Sequence, residues 1–188
     1  MQALNISLFH AIAAGHHPAS PWLLWLAARV AEGSTWVCLA MMAWLAWRQP
    51  AQRVYVLAAL LAAGVASVLA QRLAEVIGMQ RPFVLGLSPA HIEHGIRGTL
   101  PSAHATVMFT VGLVFCLRAA TRWLGITILA IAALTGWARV YVGVHFPLDI
   151  LAGLLLAGVI AAIFWGLERW GRRLVAPATA RNDDLQAR

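Results

Sequence analysis

Three short stretches of this chain carry residues whose types and spacing could do chemistry: Arg81-Pro82, Pro101-Ser102-Ala103-His104, and Arg139 followed by His145 and Asp149. Ser102 suits the N-cap of a helix beginning at Ala103. The unbonded amides of that first turn, Ala103 included, make an anion site. Arg81 and Arg139 add planar, permanently charged forks that match phosphate oxygens. His104 falls in the same first turn, beside the anion. His145 and Asp149 stand four residues apart across a second helix start. The carboxylate can take one ring nitrogen and leave the other free to attack. Together these groups could hold a phosphoryl group and transfer it through a histidine.

The elements that position them are helices in a membrane. Of 188 residues 61% are hydrophobic and 11% charged, against about 25% charged in an ordinary soluble domain; mean hydropathy is +0.75. Nine tryptophans fit aromatic belts, Trp44, Trp47, Trp123 and Trp170 among them. The net charge of +7 comes from arginines scattered between apolar runs, with no lysine in the chain, so it is not a nucleic-acid footprint. Cys38 and Cys116 lie in apolar runs and read as packing residues. No basic residue precedes Arg29, so the n-region of a cleavable signal peptide is missing and the chain is expected to insert through its own spans.

The apolar runs predict an all-α, polytopic bundle of five or six transmembrane helices. Residues 2–14 are short and should lie in the interface or re-enter. Residues 21–47 are either one long kinked helix or a short helix followed by a span. Helices follow at 54–78, 103–117, 123–140 and 147–170, with a polar loop at 79–102 and a break at 141–147. One domain covers 1–175, with the motifs inside 72–149, and 176–188 read as a disordered tail. Arg48, Arg53, Arg118, Arg122, Arg169, Arg172 and Arg173 fall on one side of this topology; Arg81, Arg97 and Arg139 fall on the other. The positive-inside rule puts the first set, and the C-terminus, in the cytoplasm. All three reactive stretches then face outward.

The order R-P, P-S-A-H and A-R-V-Y-V-G-V-H-F-P-L-D resembles the three-part signature of the type 2 phosphatidic acid phosphatase superfamily, written K-x6-R-P, P-S-G-H and S-R-x5-H-x3-D. The resemblance spans roughly residues 54–168. It implies a membrane lipid phosphatase that needs no metal or cofactor. His145 would attack phosphorus and become a phosphohistidine, with Asp149 orienting it. His104 would protonate the leaving oxygen and then activate water. Arg81, Arg139, Ser102 and the Ala103 amide would hold the phosphoryl oxygens. The motifs look most like the bacterial undecaprenyl-diphosphatase branch. That branch implies a plasma-membrane enzyme converting undecaprenyl diphosphate to the monophosphate for cell-wall synthesis. Phosphatidylglycerophosphate, phosphatidic acid and lipid A 1-phosphate are alternative substrates, phosphotransfer to another lipid an alternative reaction, and a non-catalytic lipid-binding or transport protein a remoter one.

Three positions depart from the signature. Ala103 replaces glycine and Ala138 replaces serine. Ala74 stands where the signature has lysine, so one charge-assisted contact must come from elsewhere. Arg97 and Gln71 are the candidates, and Glu75 is either a salt-bridge partner or a headgroup contact. His91, Glu93 and His94 look metal-like but read as a solvated loop. His10, His16 and His17 read as interfacial.

Overall fold

The structure is a computed structural model that describes residues 2–16 and 20–186. It is helical as expected: α1 (Gln2–Ile12), α2 (Pro21–Arg48), α3 (Arg53–Ile77), α4 (Ala103–Cys116), α5 (Arg122–Tyr141) and α6 (Pro147–Gln186), with single 3-10 turns at Pro50–Gln52 and Ala119–Thr121. Four segments are long and apolar enough to cross a membrane: Pro21–Arg48, Pro50–Ile77, Ala119–Tyr141 and Pro147–Arg173. α4 is a shorter apolar helix, and α1 shorter still.

The open choice for residues 21–47 resolves as one uninterrupted helix. It runs through Gly33-Ser34, where the Ser34 hydroxyl is satisfied by donating back to the Val30 carbonyl at 2.6 Å. α6 continues to Gln186, past residue 176 where a disordered tail is expected, although Pro177 and Asn182-Asp183-Asp184 are poor helix formers. Residues 187–188 lie outside the described residues, as does His17.

α4 is the centre of the bundle, packed on α3, α5 and α6. Nine of its residues are buried, on every face, as in a helix apolar all round. Met108, Phe109, Val114 and Phe115 join Leu45, Tyr55, Leu124 and Ile128 in the main core. α2 lies on α5. α1 packs its Phe9 against Val140 and Phe146.

Because consecutive helices run antiparallel, α3 and α5 end where α4 and α6 begin. The polar loop and the 141–147 break meet at that end. At the opposite end Arg118 lies 3.7 Å over the Tyr55 ring and pairs with Glu168, which also takes Arg172 at 2.6 Å.

The 141–147 break is a tight turn. Gly143 has φ +82°, and a Cβ there would lie 2.5 Å from the Pro89 carbonyl oxygen and 2.7 Å from Ser88 Oγ. Gly143→Ala should therefore destabilise the protein by at least the ~1–2 kcal/mol of a left-handed L-residue, with more from the clash. Thermal unfolding in detergent should show a midpoint several degrees below wild type; an unchanged midpoint would mean that the turn adapts freely.

Candidate active site

His145 is the hub of the site, and its surroundings fix its tautomer. Its Nδ1 lies 3.2 Å from Asp149 Oδ2 and 3.1 Å from Thr99 Oγ1. Thr99 in turn donates to Asp149 Oδ2, so Nδ1 carries the proton and donates to this pair. Nε2 lies 3.2 Å from Arg81 Nη1 and 3.4 Å from Arg139 Nη2. Guanidinium nitrogens only donate, so Nε2 is the unprotonated nitrogen. Burial, with Arg139 and Arg81 beside it, holds the His145 pKa well below its ordinary value.

Asp149 Oδ2 also accepts from the Phe146 amide at 2.8 Å, closing the first turn of α6. The carboxylate therefore orients the imidazole and caps its own helix at once. It is fully buried and stands behind the ring.

Both arginines are nearly fully buried. Arg81 donates from Nε to the Arg97 carbonyl at 2.9 Å, from Nη1 to Val144 O at 3.0 Å and from Nη2 to Gly98 O at 3.2 Å. Backbone carbonyls thus aim the fork without neutralising it. Arg139 donates from Nη1 to Ala31 O, on α2, at 3.2 Å.

A cavity of ≈ 240 Å³ opens in front of His145 Nε2. Its wall includes Arg81, Arg139, His104, Ala103, His94 and Arg97. Gln71, Ala74 and Glu75 form its α3 side. Two predicted residues are near but not in the wall. Asp149 is one. Ser102 is the other: it is fully buried, and its hydroxyl accepts from the Ala105 amide at 3.5 Å as the N-cap of α4. In the cap the hydroxyl only accepts, which leaves its own O–H free to donate, and the first-turn amides of Ala103 and His104 have no intrahelical partners.

Ala74, the lysine position of the signature, is covered by loop backbone. A Cβ at Gly98 would lie 1.9 Å from the Ala74 carbonyl oxygen, so only glycine permits the loop to lie across the end of α3. That loop brings Arg97 to the cavity, where Nη1 stands 4.0 Å from Glu75 Oε1. Glu75 also pairs with Arg72 at 3.2 Å, which makes it a salt-bridge partner. Gln71 donates to Ser67 Oγ at 2.9 Å.

Sequence reasoning missed two residues. Thr99 is fully buried and braces both His145 and Asp149; nothing in its spacing marks it. His94, weighed only as a metal-like loop residue, takes the Arg139 Nη2 donor on its Nε2 at 2.6 Å, and its ring stands edge-on to His145 at 5.8 Å. Of its former companions, His91 bonds the Gly15 carbonyl at 3.4 Å and Glu93 is exposed. Among the described residues no three His, Cys, Asp or Glu side chains gather so that they could hold a metal ion.

Burial, with Arg81 and Arg139 nearby, holds the His94 imidazole down at about 4. Between pH 6.5 and 4 the unfolded chain binds a proton at this residue that the folded one does not. Stability must therefore fall as pH drops through that window. Thermal melts at pH 7 and pH 5 should show a smaller acid-induced loss for His94→Gln than for wild type; equal losses would contradict a neutral, partnered His94.

A family model described as the PAP2 superfamily matches residues 53–173, the segment that holds every cavity-lining residue named above. The chain is 37% identical over 172 residues to the Escherichia coli K12 protein YbjG, whose name assigns it provisionally as an undecaprenyl-diphosphatase; the match covers 88% of this chain and 84% of that one. Among solved structures, the fold resembles Aquifex aeolicus LpxE (TM-score 0.68, 24% identity, 87% of this chain and 95% of that one). It also resembles a Bacillus subtilis PAP2-type phosphatidylglycerolphosphate phosphatase (TM-score 0.70, 21% identity, 89% and 86%). At those identities the two structures speak for the fold alone.

Proposed function

The chain belongs to the PAP2 superfamily, and from that membership we propose that it is the lipid phosphatase that turns undecaprenyl diphosphate into undecaprenyl phosphate, working through a phosphohistidine. The observation that carries the chemistry is His145 Nε2, unprotonated and flanked by two guanidinium groups at 3.2 and 3.4 Å. The observation that favours this substrate is the similarity to YbjG over most of both chains.

In the first step the terminal phosphoryl group enters between Arg81 and Arg139, and its oxygens take the Nη donors and the Ala103 amide. His145 Nε2 forms the P–N bond while the bond to the bridging oxygen breaks. His104, at the mouth of α4, gives its proton to that oxygen, releasing the lipid monophosphate. The Asp149 carboxylate stabilises the positive charge on the imidazole through Nδ1. In the second step His104 takes a proton from water. The water oxygen attacks phosphorus, the P–N bond breaks, and inorganic phosphate leaves. Arg97 supplies the charge that the signature lysine would give, reaching the cavity over Ala74. Losing one such preorganised donor typically costs about 3–4 kcal/mol of barrier.

Arginine placement supports a site on the outer face of a bacterial plasma membrane. Arg48, Arg53, Arg118, Arg122, Arg169, Arg172 and Arg173 sit at the end away from the cavity, and such an excess marks the cytoplasmic side, with the C-terminus, in membrane proteins. On this reading one domain, residues 1–175, carries the activity.

Phosphate release from a panel of purified lipid phosphates, in chelator, tests the proposal. Undecaprenyl diphosphate should be the best substrate, ahead of phosphatidylglycerophosphate, phosphatidic acid and lipid A 1-phosphate. His145→Ala should abolish release in folded protein. Wild-type turnover in that variant would sink the mechanism, and a clear preference for a glycerophospholipid would sink the substrate assignment. Thr99→Val should lower kcat about 10- to 100-fold, as typical for a group that holds a reacting residue in place. Its KM should change little, because Thr99 does not line the cavity.

A further inference from the structure

The first turn of α6 carries Asp149, and its amides need partners that its own helix cannot supply. Phe146 N–H is taken by Asp149 Oδ2 at 2.8 Å. Pro147 has no N–H. Asp149 N–H reaches the Phe146 carbonyl at 3.0 Å. The remaining amide, Leu148, donates to Asn5 Oδ1 at 3.2 Å. Asn5 lies 143 residues away, on α1, and is 3% exposed. It is a polar side chain buried at a place where α1 is otherwise apolar.

The same short helix grips the nucleophile segment at two further points. Phe9, fully buried, stands edge-on to Phe146 at 5.4 Å. Just past the end of α1, the Ala14 amide donates to the Tyr141 carbonyl at 2.9 Å. The turn that presents His145 is therefore held at its start, its middle and its end by residues 5–14. These contacts come from outside residues 53–173, the part that matches the superfamily. No residue of α1 lines the cavity.

We infer that Asn5 is a positioning residue for catalysis: it caps α6 from a separate helix and so fixes Asp149 and, through it, the angle of the His145 ring. An uncapped, part-buried Leu148 amide would be relieved by a shift of the helix start. That shift would move the carboxylate that accepts from Nδ1 without altering the guanidinium clamp. The effect should therefore fall on the chemical step and leave substrate binding in place.

The kinetic arm of the test rests on the lipid phosphatase reading; the exchange arm does not. Asn5→Leu keeps the side-chain volume and removes the acceptor, while Asn5→Asp keeps the acceptor and adds a charge that suits a helix N-terminus. In full-length protein, Asn5→Leu should lower kcat by about 10- to 100-fold, as a small misplacement of reacting groups does. Its KM should stay within about twofold, and Asn5→Asp should recover most of the loss. Hydrogen–deuterium exchange over residues 144–152 should be faster in Asn5→Leu and restored in Asn5→Asp. If Asn5→Leu gives no folded protein, Asn5→Ala replaces it under the same criteria. Wild-type kcat in the acceptor-free variant, an equal loss in Asn5→Asp, or unchanged exchange would each overturn the inference. A wild type inactive on every lipid phosphate would instead overturn the functional reading, with the exchange result still deciding the role of Asn5.

Discussion

One buried oxygen organises the site. Asp149 Oδ2 accepts from Thr99 Oγ1, His145 Nδ1 and the Phe146 amide. These donors come from three places: the long polar loop, the tight turn after α5, and the junction with α6. A carboxylate in an apolar bundle is costly unless it is paired and bonded. Oδ1 has no partner among the described residues, so the cost is met at Oδ2 alone, and only when all three segments are in register. Folding of the loop, the setting of the imidazole tautomer and the start of α6 are thus a single event. Further contacts act on the same point. Ser102 N–H donates to the Asp149 carbonyl at 3.1 Å, which ties the start of α4 to the start of α6.

The second organising feature is an excess of positive charge around an empty volume. Arg81 and Arg139 are buried within hydrogen-bond reach of the same imidazole nitrogen, and His94 and His104 complete the ring. Two guanidinium groups facing one cavity repel each other at the low effective dielectric of a protein interior. Backbone carbonyls of Arg97, Gly98, Val144 and Ala31 hold them in that position. Such an arrangement is complementary to an anion that has not yet arrived. Its donors are aimed before the reaction begins, so little reorganisation remains for the transition state. His94 Nε2 accepts from Arg139, so an anion that took this guanidinium donor would replace one acceptor with another.

Most of this was legible in the sequence, for a definite reason. Arg81, His104, Arg139, His145 and Asp149 are ionisable groups inside or beside apolar runs, where burial is expensive and chance placement rare. Proline and glycine mark the breaks that carry them, at Pro82, Pro101, Gly143 and Pro147. Thr99 and Asn5 were not legible, because a neutral polar residue in a loop or a short helix carries no such penalty signal. Their roles exist only through partners 50 and 143 positions away. His94 was visible but misjudged. Its neighbours His91 and Glu93 suggested a local cluster, whereas the fold sends the three side chains in different directions. For Ser102 the spacing identified the helix start and the N-cap, but not the depth at which the residue is buried.

The length of α4 explains why the site exists at this place. Its 14 residues make a helix roughly 21 Å long, while a bilayer's hydrocarbon core is about 30 Å thick. α4 is also the central helix, enclosed by α3, α5 and α6. A central helix that stops short leaves a well at one end of the bundle, and irregular backbone is tolerated at that depth only if it is buried in protein or lines a polar cavity. Residues 79–102 fill the well, with Gly98 laid on Ala74 and Thr99 reaching Asp149. What remains unfilled is the cavity in front of His145. Because the helix is short, its N-terminal amides point into this recess instead of open water. A phosphorylated headgroup can then dip to meet them while its hydrocarbon chain stays among the exposed apolar side chains of the outer helices.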